Sequence, residues 1–104
     1  MRIRLHAAAQ REIDEAALWY DEQEPGLGDE FLTELDQCMA GLVQRPSAWP
    51  LWPRARQGTH PVHRRLMKRF PFGIAYQVVN ETIVVIAVAA HRRRPRYWAS
   101  RVER

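Results

Sequence analysis

The stretch Thr82–Ala90, TIVVIAVAA, is apolar on both parities of a β-strand, and it limits the possible folds more than any other part of the chain. A strand that alternates apolar and polar residues can lie on water. One without a polar face belongs in the middle of a sheet that is covered, at least in part, on both sides. The run passes straight into His91–Trp98, HRRRPRYW, a histidine and four arginines followed by two aromatics. A solvated tail has no use for the Tyr97–Trp98 pair. As a membrane span the apolar run is far too short, since a bilayer-crossing helix needs roughly 20 apolar residues. No basic segment followed by an apolar one opens the chain, so the expectation is a soluble, unexported protein of the cytoplasm.

Around that strand the other elements fall into order. Arg2–Leu5, RIRL, alternates charged and apolar residues and fits a short strand with one buried face. From Ala7 to about Glu24, Ala9, Ile13, Ala16, Ala17 and Tyr20 recur at helical spacing, with acids on the other side. Pro25-Gly26-Leu27-Gly28 breaks this helix. A second one starts near Gly28 or Asp29 on the stripe Leu27, Phe31, Leu35, Cys38 and Leu42, and stops before Pro46. Asp29 and Glu30 place negative charge at the positive end of its dipole. So short a connection makes the two helices an antiparallel hairpin.

Pro46–Pro61 holds four prolines with Trp49 and Trp52 between them. It reads as an irregular loop whose tryptophans plug the hairpin onto the sheet; the other reading is a ligand for WW or SH3 domains. Three strands follow: Val62–Phe70, Phe72–Val79 and Thr82–His91, separated by Pro71 and by the two-residue turn Asn80-Glu81. In the second, Phe72, Ile74, Tyr76 and Val78 take one parity, and Gly73, Ala75 and Gln77 form a lighter face. The order strand-helix-helix-strand-strand-strand is that of an α+β two-layer domain, expected to occupy residues 1–104 as one unit.

Charge divides the chain in two. Met1–Trp52 carries four basic and ten acidic residues, a net of −6; Pro53–Arg104 carries twelve basic and two acidic, a net of +10. The halves either attract each other within the molecule, or the basic half meets a polyanion or an acidic partner. The sole cysteine, Cys38, cannot form an internal disulfide and reads as a small buried hydrophobe on the helix face. His60 and His63 are separated by Pro61, which forbids a helix, and no further ligand adjoins them, so no metal site is expected. His6 stands without supporting context.

Four segments in succession, EIDEAALWY at Glu12–Tyr20, PGLGDEFL at Pro25–Leu32, RFPF at Arg69–Phe72 with Tyr76, and HRRRPRYW at His91–Trp98, carry a resemblance. Together they are similar to the RelE/ParE superfamily of bacterial toxins, most of all to its ParE-like branch. The resemblance implies a RelE-like two-layer fold: a helical hairpin packed on an antiparallel sheet, with the first strand beside the last. It also implies a cytoplasmic toxin of a type II toxin–antitoxin system, of the plasmid-stabilisation kind, silenced by an antitoxin that wraps it.

Within the superfamily, the RelE type resembles metal-independent endoribonucleases that cut messenger RNA on the ribosome, whereas the ParE type acts on DNA gyrase. Cleavage of RNA needs a base for the 2′-hydroxyl, cations for the phosphorane and an acid for the leaving oxygen. Arg65, His91, Arg94 and Tyr97 supply such a set on paper: arginine grips phosphate bidentately, histidine exchanges protons near neutrality, and tyrosine stacks on a base. Arg65 and Arg69, evenly spaced on one strand, can face the same side. Against this, RelE-type nucleases carry several lysines here and this chain has only Lys68. Tyr97 and Trp98 read more simply as a hydrophobic clip under the sheet, and Arg69 as a partner of a helix acid.

The reading that follows is a ParE-like growth inhibitor of DNA gyrase, without cofactor or metal, held in a hetero-oligomer by an acidic antitoxin. Arg64, Arg65, Lys68, Arg69, Arg92, Arg93, Arg94 and Arg96 are the expected contacts with target or antitoxin. The alternatives are a RelE-type endoribonuclease and a non-toxic relative that only binds its partner.

Overall fold

In the computed structural model of the chain, residues 1–52 and 60–103 are described. The apolar run forms β4 (Thr82–Ala90), flanked on one side by β1 (Arg2–Leu5) and on the other by β3 (Phe72–Val79), which in turn pairs with β2 (His63–Leu66). Helices α1 (Ala7–Gln23) and α2 (Leu27–Gln44) cover one face.

β4 is interior on both faces, as its composition demands. Ile83, Val85 and Val88 face the helices and pack with Ala9, Ile13, Phe31, Leu35 and Leu42. Val84, Ile86, Ala87 and Ala89 face away, against Trp98 and Trp52. Alternation breaks once: Tyr76 pairs with Val85 while Ala75 pairs with Ala87, so Ile86 is the extra residue of a β-bulge. Two consecutive side chains, Ile86 and Ala87, therefore share the back face.

The meander is antiparallel, but β1 runs parallel to β4. The all-antiparallel sheet expected from the resemblance is thus a mixed one. Because β4 opposes β3 and β3 opposes β2, the strands β1, β2 and β4 all run one way.

Turn chemistry explains the two reversals. Gly26 takes a left-handed φ of 91° as the N-cap of α2, open to glycine at little cost. Gly28 is buried where α2 crosses α1: a Cβ there would overlap the Ala17 carbonyl, and its N–H donates to Asp21 at 2.8 Å. Asn80 and Glu81 hold φ of 50° and 61°, the left-handed pair of a two-residue hairpin.

β2 is shorter than the expected Val62–Phe70. It stops at Leu66 because the Glu34 carboxylate accepts the N–H groups of Lys68 and Arg69, at 2.6 and 3.1 Å, drawing the backbone out of the ladder. Phe70 and Phe72 then pack with Tyr20 and Phe31 in one aromatic cluster, with centroid separations of 4.9 to 6.3 Å. Trp49 plugs the hairpin onto the sheet, whereas Trp52 crosses to the other face, edge-on to Trp98 at 5.1 Å. Pro53 and the remainder of 53–59 lie outside the described residues.

Two polar anchors complete the fold. Beyond Val85, no strand among the described residues pairs with β4 on its β1 side, and Glu12 with Arg101 takes the place of one. Glu12 accepts the Val88 N–H at 3.1 Å, and Arg101 donates to the Ile86 carbonyl at 3.0 Å. The two side chains form a forked pair at 3.1 and 3.2 Å, only 14% and 17% exposed. Gln77, fully buried, donates to the carbonyls of His60 and Glu103 and accepts the Glu103 N–H. These bonds lay the C-terminal segment across the back of the sheet.

Replacing Arg101 leaves the Glu12 charge and the Ile86 carbonyl without their partner. Arg101→Ala is expected to cost about 3 kcal/mol, roughly 15 °C in Tm. Thermal unfolding by circular dichroism checks this; a Tm within about 2 °C of the parent would mean that the clasp contributes little.

Candidate functional site

The strand end that raises the functional question is fastened at its base. The His91 N–H donates to the Pro71 carbonyl at 2.8 Å, and the Arg93 N–H to Ala90 at 3.0 Å. Arg96 then takes a left-handed φ of 58°. That turn costs a non-glycine residue about 1 kcal/mol or more. Its consequence is to send Trp98 under the sheet, where it is 1% exposed. The aromatic pair of HRRRPRYW is therefore the clip expected of it, and the arginines are held above it.

Tyr97 is anchored rather than free. Its hydroxyl donates to Glu12 at 2.5 Å, and the Arg93 guanidinium lies 3.9 Å from its ring centroid. Burial pushes its phenol far up, and the hydrogen bond and charge of Glu12 push it further. Held protonated, it stays a donor to that carboxylate.

Around this end lie two grooves. The first, about 370 Å³, runs between α1 and the tip of the sheet, with Trp19, Tyr20 and Phe72 on its apolar walls and Arg92 and Arg93 on its rim. Trp19 is 54% exposed, and its neighbour Leu18 is 63% exposed. Burial raises the Tyr20 phenol, with Arg92 nearby opposing the shift. The second groove lies on the other side of Tyr97 and contains His91, Arg94 and Arg96 together with Arg64, which sits over the Trp52 ring at 5.3 Å.

The other candidates go elsewhere. Arg65 points to the helix face: its Nη1 donates to the Cys38 carbonyl at 2.7 Å, and its guanidinium lies 4.2 Å from the Trp49 ring centroid. Gly41 lies so near that a Cβ would strike Arg65 Nη1. Arg69 pairs with Glu30 at 2.7 Å on the surface, the helix-acid partner considered from sequence, and Lys68 sits exposed beside it. The eight basic residues thus do not form one patch. His91, Arg92, Arg93, Arg94 and Arg96 share the strand end with Arg64 at its back, Lys68 and Arg69 lie by α2, and Arg65 lies inside.

Glu12, Gln77 and Arg101 escaped notice from sequence. Glu12 contradicts the expectation that the acids of the first helix all lie away from its apolar side. It stands three residues after Ala9 and four before Ala16, hence on the buried stripe. A carboxylate at such a position is the readable signal. Gln77 gave a weaker one, as the polar member of an otherwise small strand face. His6 also gained a role, its Nδ1 accepting the Ala8 N–H at the start of α1. His63 stacks on Tyr76 and reaches the Trp49 carbonyl. Cys38 is buried as expected, and burial raises its thiol.

Arg65→Ala is expected to cost about 2 kcal/mol through the lost carbonyl bond and the lost stack on Trp49. Arg65→Lys should recover little of this, since an ammonium cannot reproduce the planar contact. Urea unfolding checks both; unchanged stability with lost biological activity would instead make Arg65 a binding residue.

Comparison with known proteins agrees with this architecture. The family model described as ParE toxin of type II toxin-antitoxin system, parDE, matches residues 3–95. Among solved structures, a chain of the "Chromosomal ParDE TA system from P. aeruginosa" is similar with a TM-score of 0.73 and 16% identity, over 86% of this chain and 95% of that one. At that identity the likeness speaks for the fold. No match was found among curated protein sequences. With two helices on a four-stranded sheet, the first strand beside the last, and a family match over both layers, the chain belongs to the ParE toxin family of type II toxin–antitoxin systems.

Proposed function

We propose that this chain arrests growth in the cytoplasm by binding DNA gyrase, and that a cognate acidic antitoxin holds it inactive by covering the arginine-bearing end of β4. The carrying observation is the placement of Arg92, Arg93 and Arg94. All three are exposed just past the end of β4, and none is paired with a carboxylate among the described residues. The adjoining groove with the exposed Trp19 offers apolar area beside this charge. Apolar anchors ringed by cations suit an amphipathic acidic segment, which folds as it docks.

The geometry favours docking over cleavage. A nuclease of the RelE type would draw on Arg65, His91, Arg94 and Tyr97 together. Here Arg65 is engaged on the helix face, and the Tyr97 hydroxyl is committed to Glu12. His91 and Arg94 alone supply one proton carrier and one cation.

The test is gyrase supercoiling in vitro with the purified chain. Inhibition is expected, and the charge reversals Arg92→Glu and Arg94→Glu together should weaken it at least tenfold with the fold intact, since both residues are exposed. Unaltered supercoiling at a large excess of folded toxin, together with cleavage of messenger RNA in a translating extract, would reverse the assignment.

A further inference from the structure

We propose that the second groove, behind the end of β4, is a binding site for a nucleoside phosphate. Its lining separates it from the first. Glu12 and Glu15 line the groove beside α1, whereas among the described residues no carboxylate lines the one behind the strand. Four arginines and His91 do, over a volume of about 610 Å³. Pockets of some 300 to 1,000 Å³ are the usual size for small ligands.

Two of its four arginines are ordered by stacking. Arg64 lies over Trp52 at 5.3 Å and Arg93 over Tyr97 at 3.9 Å. A guanidinium whose face rests on a ring keeps its N–H edge for an oxygen and has lost its rotamer freedom beforehand. That edge matches phosphate in two parallel bonds. One wall is aromatic: the half-buried Trp52 meets the buried Trp98 edge to face, with ring planes at 82°. Aromatic and guanidinium faces are what an unstacked base rests on.

One buried donor beside the groove lacks a partner. Trp98 lines the groove, is 1% exposed, and its indole Nε1 has no acceptor among the described residues. A buried donor in that state is costly, and a phosphate or base oxygen that reached it from the groove would supply what it lacks. Carboxylates of an acidic protein segment would satisfy the arginines equally. They would leave the aromatic wall unused.

The site shares Arg93 and Arg94 with the surface proposed for gyrase and antitoxin, and it is tested without either. The full chain is titrated at 50 mM salt with an eight-nucleotide thymidine strand, its uridine counterpart, AMP and octaglutamate. Indole N–H resonances are followed by NMR and assigned with Trp98→Phe. Nucleotide ligands are expected to shift the Trp98 resonance, and the strands to bind at least tenfold more tightly than octaglutamate. Arg93→Ala with Arg94→Ala, both exposed, should weaken strand binding at least tenfold and flatten its salt dependence, while Arg11→Ala on the outer face of α1 leaves it unchanged. Saturation by AMP would identify free nucleotide as a sufficient source, and binding of the strands alone would identify single-stranded nucleic acid; either sustains the site. Octaglutamate binding as tightly as the strands would overturn it, leaving a surface for acidic protein and the gyrase reading untouched. An unmoved Trp98 resonance, or no binding by any nucleotide, would overturn it as well.

Discussion

The structure turns on what happens to β4 after Val85, where its four-residue neighbour β1 ends. A strand in the middle of a sheet cannot leave backbone donors and acceptors unpaired on one side. Here one carboxylate and one guanidinium stand in for the missing strand: Glu12 receives the Val88 N–H, Arg101 reaches the Ile86 carbonyl, and the two grip each other in a fork. Because Glu12 belongs to α1 and Arg101 to the C-terminal segment, a local backbone requirement ties three distant parts of the chain together. Tyr97 joins the same carboxylate. The β-bulge at Ile86 sits at this point, where ladder pairing gives way to side-chain pairing.

That clasp decides where the positive charge goes. With Tyr97 held by Glu12 and Trp98 buried behind the sheet, the intervening chain has one path, and the arginines before it are lifted onto the rim. The sharp turn at Arg96 belongs to the same path. Stability and surface chemistry are thus linked: the residues that close the fold also aim those that face a partner. The acidic half of the chain is used differently. Glu34 and Glu30 hold the turn after β2 and so consume part of the basic potential of Lys68 and Arg69. The net charge of the second half therefore overstates what is presented to a partner, and at the strand end Arg92, Arg93 and Arg94 have no carboxylate partner among the described residues.

Much of this was legible in the sequence because periodicity reports burial. The stripe Phe31, Leu35, Cys38 and Leu42 is the buried face of α2, and the parity of Phe72, Ile74, Tyr76 and Val78 is the helix-facing side of β3. The double-sided character of Thr82–Ala90 required a second cover, and HRRRPRYW provides it. What escaped depends on long-range pairing. The parallel direction of β1 is set by its pairing with β4, some 80 residues away in sequence, and carries no local signature. The early end of β2 follows from a carboxylate 34 residues away in sequence from Lys68. Arg65 and Arg69 were matched by strand parity, yet Arg69 lies beyond the strand and reaches α2 by another route. A list of basic residues could not tell Arg65, stacked within the fold, from Arg94, displayed on it.

The most direct test of the functional account is induced expression without antitoxin, with DNA and protein synthesis followed by labelled precursor uptake over the first minutes. The account predicts that DNA synthesis falls first while translation continues. A translation block preceding any change in DNA synthesis would contradict it and return His91 and Arg94 to consideration as parts of a cleavage site.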